Sequence, residues 1–208
     1  MLNASNSWDP HWEKVYKSQE WGKYPPEELV RFIARNFYAK RKSHQIRVLD
    51  LGCGTGSACW FLSREKLIPY GIDGSPTAIQ KAKKRFTEEN LKGEFKVGDF
   101  IELDYPARFF DCVIDIDSLQ HNKPEEISKA LKEVIRVLKP GGVIFSMMLS
   151  SRSKFSASSP CDGKGYYKLF NENEVKKIFK DFLQLQIERS ERTDKGNTIS
   201  HHIISGKK

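Results

Sequence analysis

Hydrophobic positions along this chain fall into two alternating spacings. Short apolar runs at Ile46–Leu51, Leu67–Asp73, Gly93–Val97, Phe109–Ile116 and Val143–Leu149 read as buried strands. Between them the spacing turns helical, over Ala58–Lys66, Pro76–Glu89 and Pro124–Leu138. The last of these carries Ile127, Leu131, Val134, Ile135 and Leu138 on one face. Strands that alternate with helices and carry apolar residues on both faces predict a parallel sheet inside an α/β domain.

The two ends follow other rules. Trp8 to Tyr24 holds three tryptophans and two tyrosines, with Trp12 and Tyr16 four apart on one face of a short helix. Pro25-Pro26 breaks that segment, and a second helix follows with Leu29, Phe32, Ile33 and Phe37 inward. Ser150 to Phe170 has no apolar period and reads as a long loop leaving the fifth strand. Asn171 to Phe182 starts with a capping-box pattern, Asn171 and Glu174, and predicts a helix. Phe182–Arg189 and Ile199–Ser205 then alternate around Lys195-Gly196-Asn197, which predicts a terminal hairpin.

The chemistry is concentrated where the first strand stops. Ile46 to Gly56 reads IRVLDLGCGTG, with Gly52, Gly54 and Gly56 at alternate positions and Asp50 just before them. Such glycines allow a tight turn and close approach of the backbone to a ligand, and Ser57 is placed to cap the next helix. The third glycine comes one residue too early for a dinucleotide fingerprint. A carboxylate at Asp50 would repel a pyrophosphate but suits a ligand bearing an ammonium group. Asp73, at the tip of the second strand and near the expected offset of about 20 residues, suits ribose hydroxyls. Asp99 and Phe100, after the third strand, suit the exocyclic amine and ring of adenine.

The stretch VLDLGCGTG resembles the first motif of the Rossmann-like, class I S-adenosylmethionine-dependent methyltransferases, and LKPGG at 138–142 resembles the turn before their fifth strand. The resemblance runs from Ile46 to the C-terminus. It implies a seven-stranded, mostly parallel α/β sheet, Rossmann-like, with helices on both faces and a C-terminal antiparallel hairpin. It implies S-adenosyl-L-methionine as cofactor, held by Asp50, Gly52, Gly54 and Gly56, by Asp73 and Gly74, by Asp99 and Phe100, and by Asp115, Ile116, Asp117 and Ser118 along the methionine arm. Tyr16 is expected to reach the same site from the N-terminal segment.

Strand tips of an open parallel sheet gather at one edge, so Asp115 to His121 is expected beside the glycine loop. His121 is the sharpest catalytic candidate, because an imidazole takes a proton near neutral pH; a purely local role in the loop stands beside that reading. Trp12, Trp21 and Tyr24 are expected to line the acceptor or the methionine end. The alternative for that segment is simple packing on the sheet edge. Arg152, Lys154, Tyr166 and Tyr167 of the long loop are the other acceptor contacts, and the two basic residues suit an anion. His201 and His202 are adjacent on a strand, point to opposite faces, and are expected to be structural or superficial.

Composition narrows the partner. The chain has 208 residues and 38% hydrophobic content, enough for one domain. Its parts are a helical, aromatic lid segment at 1–45, a cofactor-binding core at 46–149, a substrate loop at 150–170 and a closing helix and hairpin at 171–208. No basic start, apolar leader or membrane-length stretch is visible, so a soluble, cytoplasmic protein is expected. Four cysteines, Cys53, Cys59, Cys112 and Cys161, lack metal-ligand spacing, so reduced thiols and no metal are expected. The net charge of +8 permits nucleic acid, but the lysines are scattered over the outer faces of helices.

No Asn-Pro-Pro-Tyr-like tetrapeptide and no catalytic Pro-Cys pair follow the fourth strand, where Asp117-Ser118-Leu119-Gln120 stands instead. The leading expectation is methyl transfer to O or N of a small molecule, with an RNA methyltransferase and a non-catalytic S-adenosylmethionine-binding protein as alternatives.

Overall fold

The computed structural model describes residues 8–42, 44–155, 166–194 and 196–208. One sheet of seven strands carries the fold, in the order β3-β2-β1-β4-β5-β7-β6. The strands are β1 (Arg47–Leu51), β2 (Ile68–Asp73), β3 (Glu94–Val97), β4 (Phe110–Ile116), β5 (Leu138–Leu149), β6 (Leu183–Asp194) and β7 (Asn197–Lys207). The first five pair in parallel; β7 runs antiparallel between β5 and β6. This is the Rossmann-like frame with a closing hairpin that the resemblance implies.

Alternation along each strand divides the core in two. Leu49, Leu51, Tyr70, Phe110, Val113 and Met148 face α5 (Pro124–Val137) and α6 (Glu172–Ile178). Val48, Cys112, Ile114, Phe145 and Met147 face α2 (Glu27–Phe37) and α3 (Ser57–Arg64). Two further helices matter for the site: α1 (His11–Ser18) and α4 (Pro76–Glu88), the latter capped by the Ser75 side chain on Ala78 N at 3.1 Å.

Several boundaries differ from the sequence reading, each for a local reason. Ser57 does not cap α3; Gly56, at φ +81°, is the cap residue and its left-handed backbone turns the chain into the helix. Strand β5 begins at Leu138, which pairs with Phe110 across an irregularity, and Gly141 and Gly142 exchange backbone hydrogen bonds with Lys208. Helix α6 is shorter than its apolar period, ending at Ile178, although Phe179 and Phe182 remain buried beyond it. Both hairpin strands are longer than expected, and this length brings their far end to the carboxyl edge of the sheet. Among the described residues no helix is long and apolar enough to cross a membrane. Cys53, Cys59 and Cys112 are buried free thiols, and Cys161 lies outside the described residues.

Candidate active site

The loop after β1 is shaped by three glycines with positive φ: Gly52 at +63°, Gly54 at +52° and Gly56 at +81°. Side chains are excluded for a second reason at the first two. A Cβ on Gly52 would lie 2.3 Å from Ser118 Oγ, and one on Gly54 would lie 2.8 Å from the Tyr16 hydroxyl. The loop is thus pressed between the tip of β4 and helix α1.

Acidic groups gather beside it. The Gly54 amide donates to Asp73 Oδ2 and the Ser75 amide to Oδ1, both at 2.8 Å. Each oxygen keeps a second lone pair for another donor. Burial raises the Asp73 pKa despite those two donors. Asp50 is buried and accepts from the Cys59 thiol at 3.6 Å. Burial, with Asp115 and Asp73 nearby, pushes its carboxyl well above the usual range. A carboxyl in that state regains its charge when a cation arrives.

A cavity of about 360 Å³ opens over these groups. Its floor is Asp50, Gly52, Gly54, Asp73, Gly74, Phe100, Ile116, Asp117 and Ser118. Its roof is Trp8, Trp12, Tyr16 and Trp21, whose indoles and phenol lie edge to face or tilted, with neighbouring centroids 5.5–6.2 Å apart for the last three. Trp8 lies so close over the tip of β2 that a Cβ on Gly74 would meet its ring at 2.3 Å.

The roof is latched to α4 by Glu13 of α1 and, more loosely, by Lys81 Nζ donating to the Gln19 carbonyl and to Glu20 at 3.3 Å. Glu13 of α1 accepts from the Ser75 hydroxyl, from Thr77 Oγ1 at 2.7 Å and from the Thr77 amide at 3.3 Å, at the N-terminus of α4, and it pairs with Lys17 at 3.1 Å. Burial opposes its charge, but these donors outweigh burial and hold the carboxyl at about 2.

His121 closes the inner end. Its Nδ1 lies 2.9 Å from the Tyr166 carbonyl, which can only accept, so Nδ1 carries the proton and Nε2 holds the lone pair. Burial lowers the imidazole pKa below 6.5, against the pull of Tyr166, Asp117 and Asp9. The ring stands edge to face on Trp12 at 4.8 Å.

Other expected residues fall elsewhere. Asp99 does not line the cavity; its Oδ1 accepts from the Ile101 amide at 3.0 Å and shapes the turn that presents Phe100. Asp115 is fully buried beneath the methionine-arm turn, accepting from the Ser118 and Leu119 amides at 3.0 Å and from Ser146 Oγ at 2.5 Å, and burial pushes it up to about 7. Tyr24 is 72% exposed and packs on Trp60 at 5.4 Å, outside the cavity. Arg152 pairs with Glu191 at 3.8 Å, and Lys154 bridges to the Thr198 backbone; neither lines the cavity. Tyr166 contributes its carbonyl while its side chain is exposed, whereas Tyr167 lines the wall. The middle of the expected substrate loop, 156–165, lies outside the described residues.

The reading of the hairpin histidines holds for one of them. His202 is buried and donates from Nε2 to the Phe170 carbonyl at 2.9 Å. His201 instead lines the cavity, with Nε2 3.1 Å from Asp117 Oδ1. Trp8, Phe155, Arg192 and Ile199 also belong to the walls and were not foreseen. Alternation does separate His201 from His202, but it does not reveal which face meets the site.

The residues present fit an adenosyl-sulfonium donor. Asp73 has acceptor capacity for ribose hydroxyls, Phe100 offers a ring for adenine, Asp50 awaits an ammonium group, and the tryptophan and tyrosine faces of the roof suit a sulfonium. The glycine loop leaves room that any side chain would fill.

The methyltransferase-domain family model matches residues 48–142. The chain is 27% identical over 138 residues to an uncharacterised methyltransferase, YodH, of Bacillus subtilis, covering 65% of this chain and 58% of that protein. It is 32% identical over 130 residues to norajmaline N-methyltransferase of Rauvolfia serpentina, covering 61% and 43%. The chain spans about half the length of the curated relatives it matches. A solved S-adenosylmethionine-dependent methyltransferase from Methanosarcina mazei superposes with a TM-score of 0.66 at 26% identity, covering 79% of this chain and 92% of that one. Residues 48–142, which hold the glycine turn and the acidic strand tips, thus match a methyltransferase domain, within a seven-stranded Rossmann-like frame.

Proposed function

We propose that this protein is an S-adenosylmethionine-dependent methyltransferase that modifies N or O of a small molecule, with His121 receiving the acceptor's proton. One observation supports this most: the donor-side floor and the lone pair of His121 Nε2 belong to a single cavity beneath α1. A roof and a hairpin wall around that cavity fit a compact acceptor better than a polymer. The relative named for norajmaline acts on a small molecule by its name.

Bound S-adenosylmethionine supplies an activated methyl group, so this chain's residues need only align, dry and deprotonate. Trp8, Trp12 and Trp21 of the roof exclude water. Asp73 would hold the ribose hydroxyls of the donor and Asp50 its ammonium group, so that the donor would be fixed at two points. His121 is neutral at pH 7 because its pKa lies below 6.5, so it is ready to take a proton.

His121→Gln, which keeps bulk and polarity, is expected to retain affinity for S-adenosylhomocysteine in calorimetry. Release of S-adenosylhomocysteine with pooled cell metabolites is expected to fall about a hundredfold. In the wild type, the acid limb of the rate profile should lie below pH 6.5. Full turnover by the variant would remove His121 from the chemistry.

A further inference from the structure

Two imidazoles line this one cavity, and both stand near Asp117: His201 Nε2 lies 3.1 Å from its Oδ1, and His121 is close enough for its charge to act on the ring. His121 comes from the turn after β4 and His201 from the hairpin. His121 spends Nδ1–H on the Tyr166 carbonyl and keeps a lone pair on Nε2. His201 turns Nε2 toward Asp117 Oδ1 at 3.1 Å, within ion-pair reach though off the line of a hydrogen bond. A carboxylate oxygen repels a lone pair and attracts N–H, so the proton sits on Nε2 and His201 Nδ1 holds the lone pair. Among the described residues, neither His121 Nε2 nor His201 Nδ1 has a hydrogen-bond partner.

Asp117 is built into this arrangement. It stands at φ +59°, a conformation costly for a residue with a side chain, and Asp115 pins the turn that forces it there by holding the Ser118 and Leu119 amides. Its Oδ1 is buried without a conventional hydrogen bond. Strain together with an unsatisfied carboxylate oxygen at a cavity wall marks a group waiting for a donor. Arg192 also lines the cavity, and Glu28 lies near enough to it to be stabilised by its charge.

We infer that His121, His201 and Asp117 form a receptacle for a primary amine, so that the reaction is N-methylation. This rests on the methyltransferase reading above and sharpens it. A hydroxyl has one hydrogen and satisfies one imidazole. An amine arriving as R–NH₃⁺ has three: one N–H bond breaks as its proton passes to His121 Nε2, and another N–H donates to His201 Nδ1. The nitrogen lone pair is then freed to form the N–C bond to the transferred methyl group while the C–S bond breaks, its electron pair passing to sulfur. The product leaves as R–NH₂⁺–CH₃. Asp117 and the Trp12 ring favour the cation before transfer. His201 is a catalytic residue in this account, and Asp117 a positioning residue.

The test uses the whole protein saturated with S-adenosylhomocysteine, ¹⁵N-labelled at histidine, at pH 8. Long-range imidazole spectra should show His121 protonated on Nδ1 and His201 protonated on Nε2. Benzylamine, with a ring to match Tyr167 and Phe155, should move the bare nitrogens of both residues, and benzyl alcohol at most one. His201→Asn, which keeps an acceptor near the position of Nδ1, should hold benzylamine better than His201→Leu, and the latter should weaken it about tenfold. Asp117→Asn should shift the His201 tautomer balance without altering that of His121. The inference is overturned if primary amines move neither bare nitrogen, or if benzyl alcohol moves both as strongly. Failure to bind S-adenosylhomocysteine would instead sink the methyltransferase reading, so the two failures are distinguishable.

Discussion

The donor side and the acceptor side of this cavity are built in different ways. The donor side is made of strand tips: Asp50, Gly52 and Asp73 grow out of β1 and β2, whose neighbours Val48, Leu49 and Ile72 are buried in the core. The acceptor side is assembled from pieces far apart in sequence, namely α1, the turn at His121, Tyr167 and the far end of the hairpin. Its roof is held by a few polar contacts to α4, from Glu13, Lys81 and Arg85. A rigid rim suits a ligand that is always the same; a roof held by a few polar contacts can open for entry and release.

That contrast can be broken from either side. The largest effect is expected in the core beneath the rim. Phe110 is fully buried, with the rings of Tyr70, Tyr105 and Phe109 at 5.0–5.2 Å. Phe110→Ala should cost about 3–5 kcal/mol in urea unfolding. A loss under about 1 kcal/mol would show that the rim is not supported from below.

Next comes the loop itself. Gly52→Ala places a methyl group 2.3 Å from Ser118 Oγ and forces an L-residue to φ +63°. Affinity for S-adenosylhomocysteine should fall about a hundredfold, roughly 2.8 kcal/mol at about 1.4 kcal/mol per decade. Unchanged affinity would mean that the loop does not hold the donor.

The latch should matter less to stability and more to the roof. Glu13→Gln is expected to weaken S-adenosylhomocysteine about tenfold while leaving the urea midpoint nearly unchanged. Its pH behaviour follows from the sign of the shift. The folded carboxyl titrates at about 2 and the free one near 4.5, so the stabilisation is present above 4.5 and is lost as pH falls toward 2. Tryptophan fluorescence, read in a Trp60→Phe background so that it reports Trp8, Trp12 and Trp21 alone, should change in that window with Glu13 present and not with Glu13→Gln. The smallest effect is expected at Tyr24, exposed beyond the roof; Tyr24→Ala should leave donor affinity within about twofold and stability within about 0.5 kcal/mol.

Legibility from sequence follows the same divide. The strand tips were readable because each motif is local: an apolar run, then glycines or a carboxylate, within a few residues. The parallel sheet followed from the alternation of strands with helices, whereas the order of its strands is set by crossovers that no local pattern spells out. Even there, a carboxylate at a strand tip is drawn to its own backbone at two positions. Asp115 and Asp99 satisfy backbone amides of their own turns, a choice set by side-chain direction rather than residue type. The acceptor wall was harder. Arg152 and Lys154 drew notice because they lie in a loop, yet Arg192 and His201 line the cavity, because β6 and β7 extend beyond their apolar cores. The pairing of His201 with Asp117 joins residues far apart in sequence, and no local pattern encodes it.

Calorimetric titration of the wild-type protein with S-adenosylhomocysteine at neutral pH, alongside NAD as a control, tests the central claim most directly. Saturable uptake of the adenosyl ligand at one site, abolished or severely weakened by Gly52→Ala, with no uptake of NAD, is the predicted result. Uptake of NAD with none of S-adenosylhomocysteine would contradict the account.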